Sequence, residues 1–308
     1  MQKPLESRRA RPDEWTQAFQ LIFQHLRMEE RQARVRNALR LLRQGELDPA
    51  GVTVLPSDHG LVGAMVCLPV AGASGLLWPP QACPGTAQQR IEDALLTSAI
   101  VWLRQRGAKL GQTLLAKDET HLASPLERHG FEHITSLWYM RHELDVRALP
   151  AKVSPEITFE SYRSCDQAVF HRTLLRTYEG SKDCPEVNGV RSLQEIVDGH
   201  RAQGSHDPEH WWLAQQGNRA VGVLLVAEMP EWQGWDLSYL GVVPEARGSG
   251  VGRAMTQKVL HEARAAGASQ VTLAVDTRNH PAWNLYLGLG FEPFDRREVY
   301  LAIWNNQP

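Results

Sequence analysis

The run Leu240-Gly241-Val242-Val243-Pro244-Glu245-Ala246-Arg247-Gly248-Ser249-Gly250-Val251-Gly252-Arg253 passes from a β-branched segment through a glycine-rich turn into residues with helical spacing. The first N–H groups of a helix have no carbonyl behind them and sit at the positive end of its dipole. A turn without side chains lets them close around a diphosphate. Gly248, Gly250 and Gly252 permit that approach, Ser249, Val251 and Arg253 add main-chain N–H groups, and Arg247 offers a guanidinium for charge-assisted bonds. Two familiar phosphate sites are excluded by the residues themselves. A nucleoside-triphosphate loop needs Lys-Ser/Thr after the last glycine, where Arg253-Ala254 stands, and a dinucleotide fingerprint needs glycine at position 253. Taken alone, the string is equally a flexible turn before a helix.

A second segment follows, Asn279-His280-Pro281-Ala282-Trp283-Asn284-Leu285-Tyr286-Leu287-Gly288-Leu289-Gly290-Phe291, beginning 27 residues after Gly252. Arg247-x-x-Gly250-x-Gly252 and Asn279-x-x-Ala282-x-x-Leu285-Tyr286-x-x-x-Gly290-Phe291 together resemble the two signature segments of the GCN5-related N-acetyltransferase (GNAT) family, with the order and spacing that family shows. The resemblance implies acetyl-CoA as co-substrate. Arg247 to Arg253 would hold its diphosphate. Leu240, Gly241 and Val242, on a strand that splays from its neighbour, would pair with the pantetheine arm and the thioester.

The resemblance also implies roles for single side chains. Tyr286 falls on the position whose hydroxyl protonates the departing thiolate, a role open to a phenol of pKa about 10. It packs on the sheet in the plainer alternative. Asn279 caps the following helix or touches the cofactor. Asp236, four residues before Leu240 and so on the same face of the strand, stands where some relatives carry a general base; Glu228 is the other candidate, and a water chain the third. No Cys or Ser has a nucleophile setting, so the amine attacks the thioester directly in a ternary complex. The rival reading is a GNAT-fold sensor that binds an acyl-CoA without turning it over.

The elements that must position these residues are readable from the pattern. Ile157–Arg163 reads as a strand, and 167–177 and 192–202 as helices around a loop, 178–186, expected to cover the acceptor site with Glu179, Asp183 and Glu186. Trp211–Gln215, Ala220–Ala227 and Leu237–Val243 read as consecutive antiparallel strands divided by Gly217-Asn218 and Gln233-Gly234. Gly250–Ala266 has apolar residues at helical spacing, Gln270–Val275 alternates as a strand, Pro281–Leu289 reads as a helix and Val299–Trp304 as the last strand. Trp232 and Trp235 either line the mouth of the site or brace the hairpin.

The first half repeats this order. Helical residues from Pro12 to Arg43 precede strands at Gly51–Leu55 and Leu61–Val70, then a helix at Ala87–Arg106. Gly107-Ala108 and Gly267-Ala268 are 160 residues apart, and so are Gly130-Phe131 and Gly290-Phe291, which points to an internal duplication. The expected fold is α/β (α+β): two tandem GNAT folds, residues 1–150 and 154–308, each a mixed, mainly antiparallel sheet flanked by helices. At the same offset Ala87, Arg90 and Glu92 stand for Arg247, Gly250 and Gly252, and Leu126 stands for Tyr286. The first domain is therefore expected to be degenerate and non-catalytic.

The totals agree with two soluble cores. The chain has 308 residues, 43% hydrophobic, and a formal net charge of −2 from 33 basic and 35 acidic residues. That balance gives no field to attract nucleic acid or an anionic membrane. Cys67, Cys83, Cys165 and Cys184 lie far apart with no paired Cys/His spacing, so no metal site is expected. The start, Met1–Arg11, is basic and polar rather than apolar, and no run reaches the roughly 18 apolar residues of a membrane span, so a cytoplasmic protein is expected. The expected partner is a small-molecule or peptide amine acceptor. The oligomeric state is not readable.

Overall fold

A computed structural model of the chain describes residues 5–144 and 156–304. The domain boundary expected between Pro150 and Pro155 lies outside them. The chain forms two compact units, Met1–Ile134 with Glu298–Pro308, and Thr135–Arg297.

In the first unit β1 (Arg8–Arg9), α1 (Trp15–Ile22), α2 (Met28–Gln44), β2 (Val52–Ser57), β3 (Gly60–Val70), β4 (Ser74–Leu77), β5 (Gln81–Ala82), α3 (Gln88–Gln105), β6 (Leu110–Ala116) and α4 (Ser124–Arg128) follow in order. The sheet runs β1-β2-β3-β4-β6, antiparallel except for the parallel pair β4 and β6. The helical pattern from Pro12 to Arg43 is broken between Ile22 and Met28. There the guanidinium of Arg31 donates to the carbonyls of Phe23 (3.2 Å), Gln24 and Leu26 (3.1 Å), satisfying groups that the end of α1 leaves unpaired.

Two strands are divided between the units along their length. β7 (Glu132–Glu143) belongs to the second unit from Thr135 onward, and β13 (Glu292–Ile303) to the first from Glu298 onward. The last strand is therefore longer than the expected Val299–Trp304.

The second unit holds β8 (Ile157–Ser161), α5 (Gln167–Thr177), α6 (Leu193–Arg201), β9 (Trp211–Gln216), β10 (Arg219–Met229), β11 (Gly234–Val242), α7 (Val251–Ala265), β12 (Gln270–Asp276) and α8 (His280–Leu287). Its strands lie in the order β8-β9-β10-β11-β12-β7, all antiparallel save β11 beside β12. Successive side chains of β10 point to opposite faces. Leu224 and Val226 pack with Val251, Met255 and Val259 of α7. Val223 and Leu225 pack with Phe170 and Leu174 of α5 and Ile196 of α6. One central strand thus feeds two buried layers, which fixes helices on both sides of the sheet. The helix starts are capped locally: Asp166 accepts from the N–H groups of Ala168 (2.8 Å) and Val169 (3.3 Å), and Ser192 and Glu195 form a capping box.

The duplication shows in the backbone at the helix ends and in the parallel ladders. Gly107 (φ 84°) and Gly267 (φ 80°) end α3 and α7 in the left-handed region, and the next residues close the same bond, Ala108 to Leu103 and Ala268 to Ala263. Gly130 and Gly290 repeat this, with Phe131 bonded to Leu126 and Phe291 to Tyr286. The parallel ladders match as well: Ser74 pairs with Leu110 and Gly234 with Gln270, each partner 160 residues from its counterpart.

An alanine at Gly107 or Gly267 must adopt a conformation that costs an L-residue about 1–2 kcal/mol. Either substitution should lower the unfolding free energy of its own unit by that amount, and with it the denaturant midpoint, readable by chemical denaturation followed by circular dichroism.

Candidate functional site

The second unit opens a cavity of about 650 Å³ between β11, β12, α8 and the start of α7. Its origin lies in the sheet. β11 and β12 are paired only at Gly234–Gln270, Trp235–Val271 and Asp236–Thr272, although both strands continue to Val242 and Asp276. At the same place two residues of β11, Leu237 and Ser238, oppose the single Val226 of β10. Such a bulge bends a strand and raises its local twist, and here it turns β11 away from β12. Leu237–Val242 line one side of the gap and Ala274 and Val275 the other. The expected splayed strand end at Leu240, Gly241 and Val242 is present.

The glycine-rich turn lies at one end of the cavity, which Arg247, Gly248, Gly250, Gly252 and Arg253 help to line. Gly248 (φ 77°) and Gly250 (φ 89°) are in the left-handed region and bring the chain round into α7. Gly250 is the cap residue and has no side chain to offer, and the first helix-closing bond is Ala254 N–H to the Gly250 carbonyl at 3.0 Å. The N–H groups of Val251, Gly252 and Arg253 therefore have no carbonyl behind them. A Cβ on Gly252 would stand 3.3 Å from the Leu285 side chain across the groove. Ser249 turns its hydroxyl back to the Ala246 carbonyl, 2.7 Å away.

Arg247 lines the cavity and also has partners within the protein. Its guanidinium donates to the carbonyls of Val242 (3.1 Å), Thr177 (3.1 Å), Glu179 (2.6 Å) and Gly180 (3.1 Å). It ties the end of α5 and the start of the following loop to the end of β11. Arg253, exposed on the first turn of α7, is a second cation on the lining.

On α8, Tyr286 is 7% exposed and lines the cavity beside Ala282 and Leu285, with its ring 5.6 Å from that of Phe291. Burial, followed by the nearby charge of Asp183, pushes its phenol pKa above the ordinary value, so it stays protonated. Asn279 caps α8 by accepting from Ala282 N–H at 3.3 Å, and it also lines the cavity.

Asp236 sits at the last rung before the strands part. Its carboxylate accepts from Thr272 Oγ1 (2.7 Å) and Ser238 Oγ (3.3 Å), and burial raises its pKa against the effect of those two bonds. It is not among the residues that line the cavity; Ser238 is. Glu228 lies 2.8 Å from His210 Nδ1 and is likewise away from the lining. Trp235 is buried against Trp212, and the ring of Trp232 covers Gly234 so closely that a Cβ there would stand 1.7 Å from it. Both tryptophans brace the hairpin.

The loop after α5 does cover the cavity, with Gly180, Ser181, Lys182 and Asp183 on the lining. It is held by a hub that sequence reasoning missed. Asp276, at the end of β12 with a fully buried side chain, accepts from Thr135 Oγ1 (2.6 Å), Cys184 N–H (3.0 Å) and Arg278 N–H (2.8 Å), and pairs with the Arg278 guanidinium at 2.7 Å. Burial opposes its charge, yet these bonds from Arg278, Thr135 and Cys184 hold its pKa down at about 2. Arg278 reaches on to Glu186 at 2.6 Å, and Asp276 N–H donates to Asp183 Oδ1 at 3.1 Å. The Asx turn from Asp276 to Arg278 was the local signal available; the partners 92 or more residues away were not. Asp183, Cys184 and Asp276 bring ligand-type atoms within 4.8 Å of one another, as do Asp207, His210 and Glu228. In the first group the Asp276 oxygens are already occupied by donors, and the Arg278 charge fills the place of a cation.

Among the described residues no helix is long and apolar enough to cross a membrane. Residues 174–291, which contain every residue that lines the cavity, match the model of the acetyltransferase (GNAT) family. A mycothiol acetyltransferase of Thermomonospora curvata is 31% identical over 225 residues, covering 72% of this chain and 71% of that protein. Among solved structures, a GCN5-related N-acetyltransferase from Sphaerobacter thermophilus superposes with a TM-score of 0.62 at 17% identity, covering 98% of this chain and 96% of that one. A tandem GNAT protein from the clavulanic acid biosynthesis pathway gives 0.52 at 17% identity over 99% and 100% of the two chains; at such identities the likeness speaks for the fold alone. The motifs, the parted strands and a relative aligned over most of both chains together make this protein a member of the GNAT family of acetyltransferases.

Proposed function

We propose that the second unit transfers an acetyl group from acetyl-CoA to a primary amine by direct attack in a ternary complex. The observation that carries this reading is that the unladdered edge of β11 and the unpaired N–H groups at the start of α7 open into one cavity. A thioester carrier with a diphosphate at one end and an amide-bearing arm along its length needs both. Val251, Gly252 and Arg253 would take the diphosphate through main-chain N–H groups, with the Arg253 side chain adding charge. Leu240, Gly241 and Val242 would pair with the arm as a neighbouring strand would, and main-chain donors there would stabilise the oxyanion that forms on attack. Tyr286, kept protonated by burial, would give its proton to the departing sulfur.

The acceptor we assign is a small amine. The loop Gly180–Asp183 closes over the cavity and is tied down through Arg247 and Arg278, which leaves less room for a protein chain than an open groove would. The relative's name, mycothiol acetyltransferase, supports a small-molecule acceptor as a class. A cytoplasmic setting goes with this reading.

The first unit we read as non-catalytic. At the offset of Gly252 stands Glu92, which lies inside α3, past its first turn, and is buried and bonded to Gln88 at 2.8 Å and Arg128 at 3.3 Å, so no glycine turn opens the helix there. Leu126, in the place of Tyr286, is fully buried and has no proton to give.

Calorimetry should show one acetyl-CoA bound per chain. Gly250→Glu, which adds a carboxylate and a side chain at a left-handed position, should weaken that binding by at least about 100-fold, or roughly 2.7 kcal/mol. Tyr286→Phe should leave binding within about twofold and lower kcat by about 100-fold in a free-thiol release assay with a panel of primary amines. Tight binding with no turnover on any amine, unchanged by Tyr286→Phe, would favour the acyl-CoA sensor.

A further inference from the structure

The carboxylate that opens into the cavity is not Asp236 but Asp183. We propose that Asp183 receives the acceptor's ammonium group and takes its proton, so that it is a catalytic residue of the transfer reaction and selects amines that arrive as cations. The inference rests on the acetyl-transfer reading of the same cavity.

Three observations carry it. Asp183 lines the cavity that Tyr286 also lines, whereas Asp236 and Glu228 do not. Its position is set by the fold: Oδ1 accepts from Asp276 N–H at 3.1 Å, and the next residue, Cys184, is held at φ 41° with its own N–H on Asp276 Oδ2 at 3.0 Å. A non-glycine residue in that region is strained, and it persists here because Asp276 fixes the chain on both sides of the peptide. No donor within hydrogen-bond distance of Oδ2 is found among the described residues, which leaves it for a ligand. The titratable and charged groups around Asp183 are Tyr178, Lys182, Cys184 and Glu186 on its own loop, Asp276 at the end of β12 and Arg278 in the turn after it, Tyr239 on β11 and Tyr286 on α8. Its side chain is solvent-accessible in the cavity, and desolvation by the protein around it pushes its pKa up to about 6. The Asp276 N–H lowers it in part, the Asp276 charge adds to the rise and Arg278 opposes it. A carboxylate so poised is ionised at neutral pH and still basic enough to accept a proton.

The step balances as follows. The ammonium gives one proton to Asp183, which passes it to solvent. The freed lone pair forms the nitrogen–carbon bond to the thioester, and the carbon–sulfur bond then breaks. Sulfur leaves with the Tyr286 proton, and the nitrogen's second proton restores the tyrosine.

The experiment uses full-length protein and the primary amine that gives the fastest thiol release from acetyl-CoA. For the native chain, kcat/KM should rise with pH through a break near 6. Asp183→Asn can still accept the Asp276 N–H bond, so it should keep its thermal midpoint and bind acetyl-CoA within about twofold. It should lose at least about 100-fold in kcat/KM at pH 7 and lose the break near 6, with activity returning only as the free amine itself becomes abundant at high pH. Asp183→Glu should recover part of the loss. Native-like kcat/KM in Asp183→Asn, or an unchanged break near 6, overturns the assignment while leaving acetyl transfer standing. Absence of turnover by the native chain on every amine removes the underlying reading and this assignment together.

Discussion

The site depends on one local failure of pairing: β11 and β12 are neighbours for three rungs and then part at Asp236 and Thr272. In a regular parallel sheet the edge of each strand is consumed by the next, and no main chain is left for a ligand. The extra residue at Leu237–Ser238 opposite Val226 bends β11 at that rung and frees its edge from there to Val242. The same strand then runs through Pro244–Ala246 into the glycine turn, so the exposed edge and the start of α7 are joined by covalent geometry. The first unit stops short of this. β4 ends at Leu77, where β11 continues to Val242, although the three-rung pairing before the break has the same register in both units.

Two charged side chains hold the cavity's shape from within the protein. Arg247 gathers four carbonyls from β11 and the end of α5, and Asp276 gathers donors from β7, the covering loop and the turn before α8. Arg247 is exposed, whereas the Asp276 carboxylate is fully buried and costly to desolvate. That carboxylate is tolerated because its oxygens are met by donors and by the Arg278 guanidinium, and removal of one partner from a buried charged pair typically costs about 3–5 kcal/mol. The effect of both side chains is to make the loop Tyr178–Glu186 part of the rigid site. Cys184 stays in a strained conformation only under that constraint.

The boundary between what the sequence reveals and what it hides follows interaction range. Gly107, Gly130, Gly267 and Gly290 each report a left-handed helix end through their own backbone needs, and all four are found so. The strands and helices of the second unit were readable because apolar residues recur with the period of each element, as Val251, Met255 and Val259 do in α7. The break between α1 and α2 was not readable, because the periodicity runs through it and only the reach of Arg31 to the preceding carbonyls ends the helix. Arg247 looked like a phosphate ligand from its place next to Gly248; three of its four carbonyl partners, Thr177, Glu179 and Gly180, lie at the end of α5 and just after it, 67 to 70 residues earlier in the chain. Asp183 sat within an acidic loop with no local pattern to distinguish it from Glu179 or Glu186. Its bond to Asp276, 93 residues away, sets it apart.

Everything proposed for the second unit requires that the free edge of β11 and the first N–H groups of α7 are the groups that hold acetyl-CoA. Amide hydrogen exchange with and without acetyl-CoA, followed by mass spectrometry, measures those groups directly. Protection concentrated in residues 238–242 and 248–253, with the matching turn before α3 unchanged, is the predicted result. Exchange in those two segments that is indifferent to saturating acetyl-CoA, or protection that falls instead at the start of α3, would contradict the account.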